Sequence, residues 1–160
     1  MAHQVIAYTD GASRGNPGPG GYGAVLISGN NRKELSEGFI KTTNNRMELL
    51  SVIKVLEILK YPGTLVTIYS DSKYVVDAVE KGWVFGWEKK SFAKKANPDL
   101  WKRFLAAYRK HKVKLVWVKG HAGIKENERC DFLATDAALN RATSKDHGFE
   151  ENSENDAALF

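Results

Sequence analysis

The sequence predicts an α/β fold in which one mixed five-stranded sheet, an antiparallel meander plus parallel strands, is flanked by helices. In the first quarter of the chain, extended apolar runs alternate with turns rich in Gly, Pro or Asn. In the remainder, helical and strand patterns alternate, as is typical of parallel crossover connections. The length of 160 residues suits one domain with a sizeable core.

The meander comprises the first three predicted strands. Residues 3–9 form an apolar run that ends at Asp10, and the Gly- and Pro-rich stretch 11–21 predicts a turn. Residues 22–28 form the second run, and Asn30-Asn31 supplies a tight turn into the third strand. The third strand is expected over residues 34–41.

Helices and strands alternate in the rest of the chain. Asn44 is the expected N-cap of a helix over residues 44–60, where apolar residues recur at helical spacing until Pro62-Gly63. Gly82 ends a second, short helix. The later elements are expected as a strand at 64–69, helices at 72–81 and 99–111, a strand at 113–118 and a helix at 127–141.

Composition suggests a domain over residues 1–142 and an acidic tail over 143–160, which we expect to be disordered because it is polar and charged. Cys130 is the only cysteine, so no intramolecular disulfide can form and a reducing compartment is favoured. The N-terminal residues have no signal-peptide pattern, and no apolar run reaches membrane-spanning length. We therefore expect a cytoplasmic protein.

A basic, aromatic region occupies residues 81–125. It contains 13 Lys and Arg residues against only Glu88 and Asp99, a local net charge of +11. A solvated lysine-rich face is the simpler interpretation. Aromatic residues at positions 83, 85, 87, 92 and 101 alternate with these bases, however, and such a mixture offers stacking as well as charge. Nucleic acid is therefore the favoured partner.

Four carboxylates stand in distinctive local sequences: Asp10 after a strand, Glu48 in a helix, Asp71 after a strand, and Asp131 in the last helix. Taken singly, each is typical of a turn former, a cap or a helix-dipole partner. Gathered by one sheet, they would form an oxygen-ligand site for Mg²⁺ or Mn²⁺. A pair of such ions could support hydrolysis of a phosphodiester by water.

The chain resembles the type 1 ribonuclease H family, in its short bacterial form, over about residues 3–142. The matching motifs are TDGASRGNPGPGGYG, TTNNRMEL, SDS, KGHAG and NERCD. The resemblance implies Mg²⁺-dependent endonucleolytic cleavage of the RNA strand of RNA/DNA hybrids with two ions, yielding 5′-phosphomonoesters, as in primer and R-loop removal. It assigns metal binding and catalysis to Asp10, Glu48, Asp71 and Asp131. His121, on a glycine-flanked loop, is implied to assist catalysis and product release.

The resemblance also implies a substrate surface. It assigns minor-groove contacts to the Gly-rich stretch and to Asn44 and Asn45. Hairpin geometry would explain the Gly-rich stretch equally well, and helix capping would explain the asparagines. A DNA-phosphate pocket, a channel for the DNA strand and a basic extension complete the surface. The residues concerned are Gly11, Ser13, Asn16, Lys41, Thr43, Asn44, Asn45, Lys73, Trp83, Trp87, Lys89, Lys90, Lys94, Lys95 and Asn97. Trp101 and Trp117 are assigned to the core.

Two features depart from the family pattern. Lys73 stands where bacterial relatives usually have Gln, which favours a phosphate contact over a base or 2′-hydroxyl contact. The basic segment between Trp83 and Trp101 is also shorter than in many relatives.

The Gly-rich stretch lacks the Gly-Lys-Ser/Thr ending of a phosphate loop, which disfavours nucleoside triphosphate binding.

Two other functions are compatible with parts of this sequence. One is a catalytically silent hybrid-binding module, which the retention of all four carboxylates disfavours. The other is a structure-selective DNA nuclease, which the paired asparagines disfavour. We expect a monomer. The simpler interpretation of the acidic tail is a disordered, solubilising segment, and the alternative is that Leu159 and Phe160 at its end anchor a weak contact with a sliding clamp or a single-strand-binding protein.

Overall fold

A six-stranded mixed sheet forms the centre of the structure, a computed structural model that describes residues 3–120 and 122–150. The strands are β1 (Gln4–Ser13), β2 (Gly18–Ser28), β3 (Asn31–Thr42), β4 (Leu65–Ser70), β5 (Lys112–Trp117) and β6 (Ala142–Ser144). Their order across the sheet is β5-β4-β1-β2-β3-β6. The first three strands pair antiparallel, while β4 is parallel to β1 and β5 is parallel to β4. The predicted fold class is confirmed, with β6 as an additional short strand.

Five helices cover the two faces of the sheet in the described part of the chain. They are α1 (Asn44–Ile58), α2 (Lys73–Glu80), α3 (Trp83–Lys89), α4 (Pro98–Tyr108) and α5 (Lys125–Asn140). Along β2, Ala24 and Leu26 belong to the main core with α1, while Val25 packs with Cys130 of α5. Because side chains alternate between the faces of a strand, α1 and α5 lie on opposite faces. None of the helices in the described ranges has the length and apolarity needed to cross a membrane.

The main core lies between the sheet and helices α1, α2 and α4. Trp101 and Phe104 of α4 are fully buried and pack edge to face with ring centroids 5.6 Å apart. Trp87 of α3 contacts Trp101 in a similar geometry, at 5.7 Å. The assignment of Trp101 to the core is therefore correct, and α3 is a helix that the sequence patterns did not predict.

The Gly-rich stretch is largely strand, not turn. β1 continues through Asp10 to Ser13, and β2 already begins at Gly18. A Cβ added at Gly11 would lie 2.3 Å from the backbone nitrogen of Glu48. Glycine is therefore used here to let α1 approach β1, which is a different role from the chain reversal that the sequence rules assign to it.

The predicted start of the acidic tail is too early. Ala142–Ser144 form β6 beside β3, and the Asp146 side chain is buried against Arg46 of α1. Pattern rules miss this segment because it is short and polar, and because its partner lies about a hundred residues earlier in the chain. Residues 151–160, including the Leu159-Phe160 ending, lie outside the described residues.

Candidate active site

Strand register brings two of the predicted carboxylates together. β1 and β4 run parallel, and Thr9 and Ser70 form their last pair. The next residues along the chain are Asp10, still in β1, and Asp71, directly after β4, so the acids lie side by side where the parallel pairing ends. Asp10 is inside β1 because β1 continues in its antiparallel pairing with β2. The predicted neighbouring positions are therefore found, although Asp10 is not the last residue of its strand.

Helix α1 supplies the third carboxylate. Its N-cap is Thr43, not the predicted Asn44, and the Thr43 hydroxyl accepts a hydrogen bond from the Arg46 backbone N–H. Glu48 lies in the second turn, where the close approach at Gly11 presses α1 onto β1. One oxygen from each of Asp10, Glu48 and Asp71 lies within 4.8 Å of the others. We call these three residues the carboxylate cluster.

Burial and mutual repulsion oppose ionisation of the cluster. Desolvation by burial, followed by the charges of Asp71 and Asp131, raises the pKa of Asp10 to about 8. The backbone N–H of Gly11, which donates to Asp10 Oδ1 at 2.9 Å, only partly offsets this rise. Burial and the charges of Asp10 and Asp71 likewise raise the pKa of Glu48 well above its usual range. In the metal-free protein the cluster therefore retains protons near neutral pH.

The cluster has the features of a cation site. Glu48 Oε2 is buried and has no hydrogen-bond partner, an arrangement that is unfavourable unless another group contacts that oxygen. Closely spaced carboxylate oxygens are the ligands that Mg²⁺ and Mn²⁺ prefer. Displacing the retained protons with a divalent cation would satisfy the orphaned oxygen and remove the repulsion. The donor set thus fits the predicted metal.

Asp131 lies beside the cluster without belonging to it. It occurs in the second turn of α5, next to the fully buried Cys130, whose thiol donates to the Tyr8 carbonyl at 3.1 Å. The charge of Asp131 contributes to the raised pKa of Asp10, so the two carboxylates are close. Its role as a metal ligand stays a prediction.

The loop after β5 passes over the cluster. A Cβ added at Gly120 would lie 2.8 Å from Asp71 Oδ2, so the backbone at this point runs against that carboxylate. The next residue is His121, which lies outside the described residues. Its predicted role depends on the resemblance and on this placement of its neighbour.

Trp117 is not a core residue, contrary to the sequence assignment. Its side chain is 42 % exposed, its indole N–H donates to the Asp71 carbonyl at 3.1 Å, and the Lys73 ammonium lies 4.7 Å from its ring centroid. A tryptophan at the end of an apolar strand is normally buried, so the strand pattern predicts a core position that Trp117 does not occupy. Trp117 instead supports the backbone at Asp71 and places the charge of Lys73 near the cluster.

The predicted minor-groove residues surround the N-terminus of α1. Asn44 and Asn45 are exposed in its first turn. The Asn16 side-chain carbonyl accepts a hydrogen bond from the Asn44 backbone N–H at 3.1 Å, which ties the Gly-rich stretch to the helix. Ser13 ends β1, and Lys41 is exposed near the end of β3. Asn16, Asn44 and Asn45 therefore lie together at the start of the helix that carries Glu48.

The basic and aromatic candidates form a second group, on and after α3. Trp83 and Trp87 lie one turn apart on that helix; Trp83 is 48 % exposed and Trp87 is half-buried. The Lys-rich segment (residues 89–95) follows, and its lysines, Lys89, Lys90, Lys94 and Lys95, are all exposed. Lys95 Nζ lies 5.0 Å from the Trp87 ring centroid. Charge and aromatic surface thus adjoin one another, as the sequence predicts.

The raised pKa of Asp10 predicts how stability depends on pH. A carboxyl whose pKa is higher in the folded state than its usual value of 3.8 stabilises the fold at low pH and loses that contribution up to about pH 8. In EDTA, the free energy of unfolding should fall across this window by up to about 1.4 kcal/mol per pH unit for each proton concerned. Asp10→Asn should flatten the decline.

Urea unfolding of both proteins at several pH values measures this difference. Asp77→Asn is the control, since Asp77 pairs with Lys81 on the surface of α2. A wild-type stability that stays constant or rises between about pH 5 and pH 8, or an equal slope in Asp10→Asn, would contradict the raised pKa of Asp10.

Similarity to known proteins agrees with this geometry. The family model described as RNase H matches residues 2–139. A protein named ribonuclease H from Syntrophus aciditrophicus is 54% identical over 151 residues, covering 91% of this chain and 87% of its own length. Among solved structures, LC9-RNase H1, described as a type 1 RNase H with the type 2 active-site motif, superposes with a TM-score of 0.79 at 32% identity, covering 86% of this chain and 73% of that one.

A second solved structure is that of LC11-RNase H1 in complex with an RNA/DNA hybrid. It is 27% identical, with a TM-score of 0.65, and the match covers 84% of this chain and 96% of that chain. The family match spans the strands and helices that bring the carboxylates together. The chain therefore belongs to the ribonuclease H family, in its type 1, bacterial-type form, and is an endoribonuclease.

Proposed function

We propose that this endoribonuclease hydrolyses the RNA strand of RNA/DNA hybrids with the help of two divalent cations, giving 5′-phosphomonoester products. The observation that carries the proposal is the carboxylate cluster, in which acids from β1, from α1 and from the residue after β4 meet within 4.8 Å, while asparagines are exposed in the first turn of α1. Removal of RNA primers and of R-loops would follow from this activity.

The proposed cation ligands are Asp10, Glu48, Asp71 and Asp131. Mg²⁺ is the expected ion and Mn²⁺ a substitute, because both favour carboxylate oxygens. When bound, two such ions would lower the pKa of a water molecule and stabilise the leaving 3′-oxygen. In the hydrolysis, the water loses a proton as its oxygen bonds to phosphorus, the bond from phosphorus to the 3′-oxygen breaks, and that oxygen takes up a proton.

The protein's own groups prepare the site in three ways. Burial of Asp10 and Glu48 keeps bulk water from the carboxylates, which strengthens their attraction for a cation. The Gly11 N–H fixes the orientation of the Asp10 carboxylate. We propose that His121, two residues after Lys119 on the loop that passes Asp71, moves a proton or aids product release.

Recognition of the hybrid is proposed to divide between two surfaces. Asn16, Asn44, Asn45 and the Gly-rich strand ends would contact ribose 2′-hydroxyls in the minor groove, where close backbone approach is useful. Trp83 and Trp87, with the Lys-rich segment, would receive the DNA strand through stacking and phosphate contacts. Thr43 and Asn97 are proposed to grip a DNA phosphate. The hybrid complex of LC11-RNase H1 supports this substrate class.

Asp10→Asn should remove most hydrolysis while hybrid binding is largely retained. The change preserves side-chain shape but removes a formal charge from the cation site, so the rate should fall by several orders of magnitude. Labelled hybrid, RNA duplex and DNA duplex, each with Mg²⁺ or EDTA, provide the assay. Wild-type protein should cut only the RNA of the hybrid, and only with Mg²⁺.

Two results would overturn this proposal. One is near-normal turnover in Asp10→Asn protein, while the Asp77→Asn control retains wild-type rates. The other is equal cleavage of the hybrid and the RNA duplex, since the proposed DNA channel would then select nothing.

Replacing all four lysines of the Lys-rich segment with Ala should raise KM and reduce its dependence on salt. Each lost phosphate contact removes about 0.9 from the slope of log affinity against log salt concentration. The turnover number should change much less, because these exposed side chains do not belong to the cluster. Steady-state kinetics at several KCl concentrations measure both effects, and an unchanged slope would exclude the segment from the interface.

We further propose a cytoplasmic monomer whose segment 151–160 makes a weak contact with a sliding clamp or a single-strand-binding protein. The segment combines acidic residues with Leu159 and Phe160. Because Asp146 is buried, the informative deletion removes only residues 151–160. Cleavage of short hybrids should be unchanged and affinity for one purified partner reduced. If neither protein binds the full chain, the segment has no such role.

A further inference from the structure

Arg46 forms a buried network in which neither Arg46 nor its two acid partners has a part in the proposed chemistry. Its side chain is only 2 % exposed, and its guanidinium donates to two acids from distant parts of the chain. Asp99 at the start of α4 accepts at 2.9 and 2.7 Å, and Asp146 accepts at 2.7 and 2.9 Å. A third acceptor is the side-chain carbonyl of Asn97, at 3.3 Å. All of the guanidinium nitrogens are therefore engaged.

The network connects the two parts of the proposed site. Arg46 precedes Glu48 of the carboxylate cluster by two residues on α1. Asn97 follows the Lys-rich segment by two residues and is the N-cap of α4. A rigid contact from Arg46 to Asn97 therefore sets the distance between the cluster and the lysines that would hold the nucleic-acid backbone.

The Lys-rich segment depends on such a contact because its backbone is unusual. Ser91, Phe92, Lys94 and Asn97 all adopt φ between 54 and 61°, a left-handed conformation that non-glycine residues adopt only where the surroundings hold it. The buried Phe92 side chain anchors the middle of the segment. At its end, Asn97 is held on both sides, since its amide also donates to the Tyr74 hydroxyl at 3.0 Å.

Asp146 orients Arg46 from the C-terminal side. Its carboxylate also accepts from the Thr42 hydroxyl at 2.7 Å and from the Phe149 backbone N–H at 3.3 Å. These bonds place the carboxylate so that two guanidinium nitrogens meet it side by side, an arrangement with strict geometry. If Asp146 were neutral or absent, Arg46 would be free to reorient, and its hold on Asn97 would weaken.

We propose that Asp146 and Arg46 are positioning residues that fix the Lys-rich segment relative to the carboxylate cluster, and thereby set affinity for the nucleic-acid substrate. The inference rests on the proposed function, in which the segment contacts phosphates. Residues 142–150 therefore contribute to substrate binding through Arg46 and Asn97, without contacting the substrate themselves.

Asp146→Asn provides the test, with steady-state kinetics on a labelled hybrid well below the unfolding temperature. KM should rise on the order of tenfold, equivalent to one or two lost phosphate contacts, and kcat should stay within about twofold. The salt slope of binding, measured by fluorescence anisotropy in EDTA, should fall by about 0.9 per lost contact. Asp146→Glu, which keeps the carboxylate, should recover part of the affinity.

Glu57→Gln is the matched control. Glu57 of α1 pairs with Arg103 of α4 at 2.6 Å, so it joins the same two helices on the surface without touching Asn97. Its KM should remain at the wild-type value. If Asp146→Asn does not fold, Thr42→Val is the milder variant, because it removes only the hydroxyl that orients Asp146.

The inference is wrong if KM and the salt slope are unchanged, if Glu57→Gln raises KM equally, or if kcat falls while KM stays constant. Failure of the proposed function gives a different result. In that case the wild-type protein would not cut the hybrid in Mg²⁺. The affinities of the wild-type protein and the variants for the hybrid could still be compared by fluorescence anisotropy in EDTA.

Discussion

Electrostatic repulsion among three carboxylates is the constraint on which this structure depends. Asp10, Glu48 and Asp71 meet within 4.8 Å, and the first two are almost completely buried. Such an arrangement opposes folding unless protons or cations bind, so the surrounding structure must hold it in place. The parallel register of β1 and β4 fixes two of the acids, and the contact of Gly11 with α1 fixes the third. Both the strand register and the contact at Gly11 are backbone features. Repulsion between side chains moves the backbone less easily than it moves the side chains themselves.

Helix α1 links this constraint to the proposed substrate-binding residues. Its first two turns carry the exposed Asn44 and Asn45, the buried Arg46 and the clustered Glu48. Since these positions lie on different sides of one helix, a small rotation of α1 would disturb all of them together. Gly11 restrains the helix on the side of the sheet, and the Arg46 network restrains it on the side of α4 and the C-terminal segment.

The sequence was sufficient to predict the fold class, the five longer strands and the acids of the cluster, because these follow from apolar periodicity and from motifs with fixed spacing. It failed where tertiary contacts override local rules. The Gly-rich stretch was predicted as a turn, yet its glycines serve close packing inside strands. Trp117 ends an apolar strand but remains exposed, because its indole supports Asp71. Asp146 has no local signal, since its partner Arg46 is distant in sequence.

The Arg46 network and the carboxylate cluster are two separate groups of charges that meet on α1. Arg46 is only two residues from Glu48 on α1, but side chains two residues apart on a helix point to different sides. Asp99 and Asp146 instead match its charge with paired hydrogen bonds. Burial and the charges of Asp10 and Asp71 meanwhile hold the pKa of Glu48 well above its usual range. Because the charge of Arg46 is matched by Asp99 and Asp146, it does not neutralise the carboxylates, which depend instead on protons or on an external cation.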